Sequence, residues 1–102
     1  MIEIVNLRQL KDVKDGILIR VDRSSVLGNP FYMSNESMRD EVCDKYQQYF
    51  DKKVTEKTDD EFMNELRRIY KLAKHSKVYL ACWCAPKRCH AETIKAFIEQ
   101  YL

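Results

Sequence analysis

The chain has 102 residues, 45% apolar and 33% charged, with only two glycines, two prolines and four cysteines, and a formal net charge of +2. That balance predicts one domain over residues 1–102 and excludes collagen-like, low-complexity and disordered chains; no repeated unit points to a solenoid. With 18 basic and 16 acidic side chains interleaved, no overall field favours a nucleic-acid partner, so any anion site must be local.

The longest apolar run, near Val78 to Trp83, is far short of the roughly 20 residues a membrane span needs. The start carries Glu3 before any basic residue and lacks a long apolar core, so it does not read as a secretory leader. Reduced cysteines and a cytoplasmic location are therefore expected.

Ile2 to Val5 and Gly16 to Val21 are short, β-branched runs and predict two strands, which could pair through the polar link Leu10 to Asp15. Val26 to Phe31 predicts a loop, because Pro30 keeps Asn29 out of helical geometry and no periodicity crosses Gly28. Ser34 to Ser37 offers capping oxygens, and Met38, Val42, Tyr46 and Tyr49 recur at helical spacing, predicting a helix that ends near Phe50. Asp51 to Thr58 then reads as a charged linker and a place for mobility.

Thr58 to Glu61 caps a second predicted helix, with Phe62, Leu66, Ile69 and Ala73 on one face and Lys71, Lys74 and His75 at its negative end. Lys77 to Cys84 is apolar on both alternating faces, as suits a central strand covered on both sides. Pro86, Lys87 and Arg88 make a turn into a last helix beginning near Cys89 to Ala91, with Ile94, Phe97, Ile98 and Tyr101 on its apolar face. The order β-β-α-α-β-α predicts an α/β layered fold, a short sheet with helices packed on it. Ligands of such folds gather at the carboxyl ends of strands, where both clusters of scarce residues fall.

The second cluster, CWCAPKRCHAE over 82–92, admits three readings. Cys82, Cys84, Cys89 and His90 supply the right count for a Cys₃His zinc set, although all four come from consecutive strand, turn and helix positions. Cys89 at a helix start beside Arg88 and His90 could serve as a nucleophile. Unpaired helix N–H groups beside Lys87, Arg88 and a protonated His90 would form a phosphate-sized anion site. The structural alternatives are that Cys82 and Cys84 are small core residues, as Cys43 is expected to be, and that Lys87 and Arg88 are a solvated turn.

The first cluster tips the balance toward an anion. Arg20, Asp22, Arg23 and Ser24 lead into Gly28, Asn29, Pro30 and Phe31, gathering charge, hydroxyl, amide and aromatic groups in one loop. Arg20, Arg23, Lys87 and Arg88 would hold phosphate or ribose, Asn29 and Asp22 would give polar specificity, and Phe31 or Trp83 would stack. An ion pair between Arg20 and Asp22, and core filling by Phe31, are the structural alternatives.

The pairing of VDRSSVLGNPF with LACWCAPKRCHAETIKAFI resembles a family known as a domain of unknown function, number 4326, of small bacteriophage and bacterial proteins. The resemblance implies a phage-like setting, where small proteins capture host immune nucleotide signals. The expectation is a binder of a phosphorylated, nucleotide-derived small molecule, such as a cyclic ADP-ribose isomer or cyclic dinucleotide, without turnover and without a cofactor. A second copy is expected to close the shallow pocket of so short a chain. The alternatives are an enzyme on a nucleotide or nucleoside through Cys89, His90 or Asp22, and a zinc-stabilised module that inhibits a host protein.

Overall fold

A computed structural model describes residues 1–8, 15–85 and 87–102. The expected link at 10–14 and Pro86 lie outside the described residues. The elements are β1 (Ile2–Asn6), β2 (Gly16–Arg20), a 3₁₀ turn (Glu36–Met38), α1 (Arg39–Glu56), α2 (Asp60–His75), β3 (Lys77–Cys82) and α3 (Ala91–Glu99). The predicted order of strands and helices, and the α/β class, are those observed.

The strand order is β1-β3-β2, with both pairings parallel. The expected pairing of β1 with β2 is therefore corrected: β3 separates them. The physical reason lies in Val78, Leu80, Ala81 and Cys82, all buried, which make β3 the strand that loses most by sitting at an edge. β1 and β2 carry Glu3, Leu18 and Arg20 exposed and tolerate the edges.

Register places Ile2 and Ile17 beside Val78, and Ile4 and Ile19 beside Leu80. This face joins one apolar cluster with Phe50 of α1, Phe62, Leu66 and Ile69 of α2, and Ile94 and Ile98 of α3. On the other face Ala81 is buried, but Tyr79 is only half-buried and Leu18 exposed. Full cover of β3 on both faces is thus not seen among the described residues; the helices belong to one side.

α1 is longer than its apolar pattern predicts, running to Glu56. Asp51 to Glu56 holds no Gly or Pro, so nothing in it stops propagation. Val54 packs against the core, and the helix closes only at Lys57, whose φ of 54° is left-handed. Lys53 then reaches Asp59 at 2.8 Å, and the Asp59 carboxylate accepts from the Phe62 N–H at the start of α2. The expected charged linker is a helix end and a tight cap.

Tyr46 carries the packing into the loop. Its ring is fully buried and its hydroxyl donates to the Leu27 carbonyl at 2.7 Å. Tyr46→Phe leaves that carbonyl without its donor and should cost about 1–2 kcal/mol in urea unfolding.

Candidate functional site

Because all strands run parallel, their carboxyl ends share one edge of the sheet. Backbone bonds continue there beyond the strands, from the Leu7 N–H to the Cys82 carbonyl and from the Val21 N–H to the Ala81 carbonyl. The Asn6 amide donates to the carbonyls of Trp83 and Ala85 at 3.2 and 2.7 Å, fastening the segment after β3 to the end of β1.

The loop after β2 is braced by its own short polar side chains. The Ser25 N–H donates to the Asp22 carbonyl and the Gly28 N–H to the Ser25 carbonyl, each at 2.9 Å. Asn29 accepts from the Phe31 N–H at 2.8 Å, an Asx turn that sets the path through Pro30. Arg23 donates to the Phe31 carbonyl at 2.7 Å and lies over the Tyr32 ring. Phe31 meets Tyr49 of α1 edge to face at 6.0 Å.

His90 joins the two clusters. It is buried, its Nε2 lies 2.5 Å from the Val21 carbonyl, and its ring meets Tyr46 edge-on at 5.0 Å. Burial lowers its pKa, only partly offset by the bond to Val21. The ring is therefore neutral near pH 7, which corrects the expectation of a protonated His90 serving as an anion donor. A carbonyl only accepts, so Nε2 carries the hydrogen. Nδ1 is then an acceptor, and it faces the Cys89 sulfur at 3.4 Å.

Between the clusters lies a cavity of about 320 Å³. Asp22, Arg23, Asn29 and Phe31 line it from the first cluster, and Trp83, Arg88 and His90 from the second. The remaining predicted residues lie elsewhere. Arg20 and Ser24 line a separate, open depression with Glu61 and Arg68; Lys87 lines another beside Asn6 and Glu36; Pro30 is exposed.

Charge pairing accounts for several of these side chains. Asp22 is buried and accepts from Arg20, from the Ser24 hydroxyl at 2.6 Å and from the Trp83 indole at 3.0 Å. Those donors, Arg20 first, hold its carboxyl far below the usual range. The Arg20 and Asp22 ion pair is thus present, and it orients Trp83, which is half exposed. Arg88 reaches Asp40 at 3.1 Å and Asp44 at 2.8 Å, while Lys87 reaches Glu36 at 3.3 Å.

Arg39, Tyr32 and Met33 also line the cavity, and sequence reasoning missed them. Arg39 opens α1, grips Glu36 through two bonds and donates to the Arg88 carbonyl at 2.9 Å. The available signal was a cation three residues after Glu36, a spacing common on any helix.

The cysteines gather under the cavity. Cys43, Cys82, Cys84 and Cys89 all line it, and none is in a disulfide. The Cys89 thiol and the N–H groups of Cys84 and Ala85 hydrogen-bond the Cys82 sulfur, holding its pKa down to about 6 against burial. The same contact, then burial, pushes Cys89 up. Among the described residues no three His, Cys, Asp or Glu side chains converge as metal ligands. The zinc set of Cys82, Cys84, Cys89 and His90 is therefore not brought together as a ligand cluster among the described residues.

The structure is thus a parallel α/β sheet with a cavity of mixed aromatic and cationic lining across its strand ends. The chain matches the family described as Domain of unknown function (DUF4326) over residues 5–100 and belongs to it. No curated protein and no solved structure gives a significant match. No helix among the described residues is long and apolar enough to cross a membrane.

Proposed function

We propose that the chain binds a phosphorylated, nucleotide-derived small molecule in the cavity between the Gly28 to Phe31 loop and the start of α3, and holds it without turnover. The observation that supports this most is the meeting of both clusters in one cavity. Phe31, Tyr32 and Trp83 offer aromatic surface there, and Arg23, Arg39 and Arg88 offer guanidinium groups. At about 320 Å³ the space is at the lower end of small-molecule sites, suited to one base with its ribose and phosphate. A larger signal, such as a cyclic dinucleotide, would leave its second half outside, where a second copy of the chain could close over it.

The guanidinium groups are available in different degrees. Arg23 gives hydrogen bonds to one carbonyl and keeps further donors free for phosphate. Arg88 must leave the exposed carboxylates of Asp40 and Asp44, surface pairs each worth at most about 1 kcal/mol. A phosphate accepting both arms of a guanidinium outweighs that loss. In a phage setting such a binder would act as a sponge for a host immune signal.

The test is calorimetric titration with a panel of nucleotides, cyclic ADP-ribose isomers and cyclic dinucleotides, followed by heat denaturation and recovery of the ligand. Intact ligand is expected; a changed product overturns binding without turnover. Arg88→Ala should abolish measurable binding while shifting stability by no more than about 2 kcal/mol, the ceiling for its two surface pairs. Unchanged affinity in that variant counts against this cavity as the site.

A further inference from the structure

The cavity does not end at Trp83. Adjoining it is a second depression of about 370 Å³, lined by Asn6, Arg8, Glu36 and Lys87, and Arg39 and Trp83 line both spaces. The Arg8 guanidinium lies over the Trp83 ring, 5.8 Å from its centre. Arg39, with only 14% of its side chain exposed, stands at the junction. Its Nη1 donates to the carbonyl of Arg88, a cavity residue, while Nε and Nη2 donate to the two Glu36 carboxylate oxygens at 2.9 and 2.6 Å. Lys87 Nζ reaches Glu36 Oε1 as well, at 3.3 Å.

A guanidinium fork and an ammonium closing on one pair of oxygens is an arrangement that receives a phosphoryl group. Here a carboxylate of the chain itself fills the place. Glu36 belongs to a 3₁₀ turn that holds no buried residue, and its side chain is 60% exposed. Its ion pairs therefore hold it weakly. Among the described residues lining the depression it is one carboxylate against three cations, so a phosphate of higher charge competes with it well.

We propose that this depression takes the second phosphoryl group of a ligand whose base and first phosphate sit in the cavity, and that Glu36 fills the place until the ligand displaces it. The proposal rests on the reading of the cavity as a nucleotide site and narrows it. The ligand carries two linked phosphates, as a nucleoside diphosphate or a pyrophosphate-joined dinucleotide does. Arg39 serves both phosphates: its present bonds leave N–H donors to spare, and release of Glu36 frees two more. The wall between the spaces is set beforehand, because the Asn6 amide holds the carbonyls of Trp83 and Ala85.

The experiment is calorimetric titration of the full chain with the mono- and diphosphates of adenosine, guanosine, cytidine and uridine at one ionic strength. For a base that binds, the diphosphate is expected to bind about 10-fold tighter than the monophosphate, the gain of a further charge-assisted contact. Lys87→Ala should shrink that ratio, and Glu36→Gln, which removes the competing charge at constant size, should raise it. Both side chains are more than half exposed, so neither change touches the core. A ratio near one in the parent, or one that neither variant moves, overturns the second subsite and leaves the cavity reading standing. Inorganic pyrophosphate, followed by amide chemical shifts, supplies an arm that needs no base. Shifts at Glu36, Arg39 and Lys87 that weaken in Lys87→Ala support the subsite even if every nucleotide fails, a failure that tells against the cavity reading instead; no shifts at those residues overturn the subsite.

Discussion

His90→Ala should destabilise the fold by about 3–5 kcal/mol, read as a fall in the urea midpoint. Two losses add. The Val21 carbonyl loses its donor, which costs about 1–3 kcal/mol for a buried group. The space left against Tyr46, whose ring lies 5.0 Å from the imidazole, adds a cavity cost of about 2 kcal/mol. For a domain stable by roughly 5–15 kcal/mol, that is a large share. His90→Gln, which keeps an N–H donor on a flexible side chain, should recover part of it. A change below about 1 kcal/mol in His90→Ala would show that His90 does not tie the clusters together.

The same residue sets an acid limit. Burial lowers the folded-state pKa of His90 below its unfolded value near 6.5. As pH falls through 6.5, the unfolded chain takes up a proton that the folded chain refuses. The stability that His90 contributes is therefore fully present above about 6.5 and is lost below it, by up to about 1.4 kcal/mol per pH unit for one proton. Asp22, whose carboxyl is also held low, loses stability only as pH falls below its unfolded value near 4. Cys82, lowered to about 6, adds slope of the same sign above that pH. Just below pH 6 the fall belongs to His90, and His90→Gln should flatten it in urea titrations.

Local features of the chain were legible and their placement was not. KVYLAC announces a buried strand because both parities are apolar, yet nothing in it says that β1 and β2 flank it. Parallel pairs need no turn signature, so the two amino-terminal runs look like a hairpin. The charged stretch from Asp51 to Glu56 misleads in the opposite way: charge marks a solvated face, and a helix has one. At the site, scarcity of Gly, Pro and Cys pointed to both clusters, because special backbone geometry demands special residues. Arg39 carries no such mark; it reaches the cavity only through the position of α1. The neutral state of His90 follows from burial between Val21 and Tyr46, which no spacing rule encodes.

Gly28→Ala should both destabilise the chain, by about 2–4 kcal/mol, and disturb the cavity. A Cβ at Gly28 would lie 2.4 Å from the Asp22 carbonyl oxygen and 2.8 Å from the Arg23 Cα. Both are backbone atoms, so no side chain can swing aside and the loop itself must shift. Leu27, fully buried, moves with it and pulls its carbonyl from the Tyr46 hydroxyl. Asp22 moves at the other end of the contact, and with it the acceptor of the Trp83 indole. Trp83 is the one tryptophan of the chain, so its emission reports the disturbance directly. Gly16→Ala is the matched control: its Cβ would come within 2.6 Å of the Lys77 carbonyl oxygen, an equally severe contact at the opposite ends of the strands. That variant should lose stability while the Trp83 emission of its folded state stays as in the parent. Gly28→Ala should shift the emission before any denaturant is added. Equal spectra in the two variants would mean that the loop and the Trp83 side of the cavity move independently.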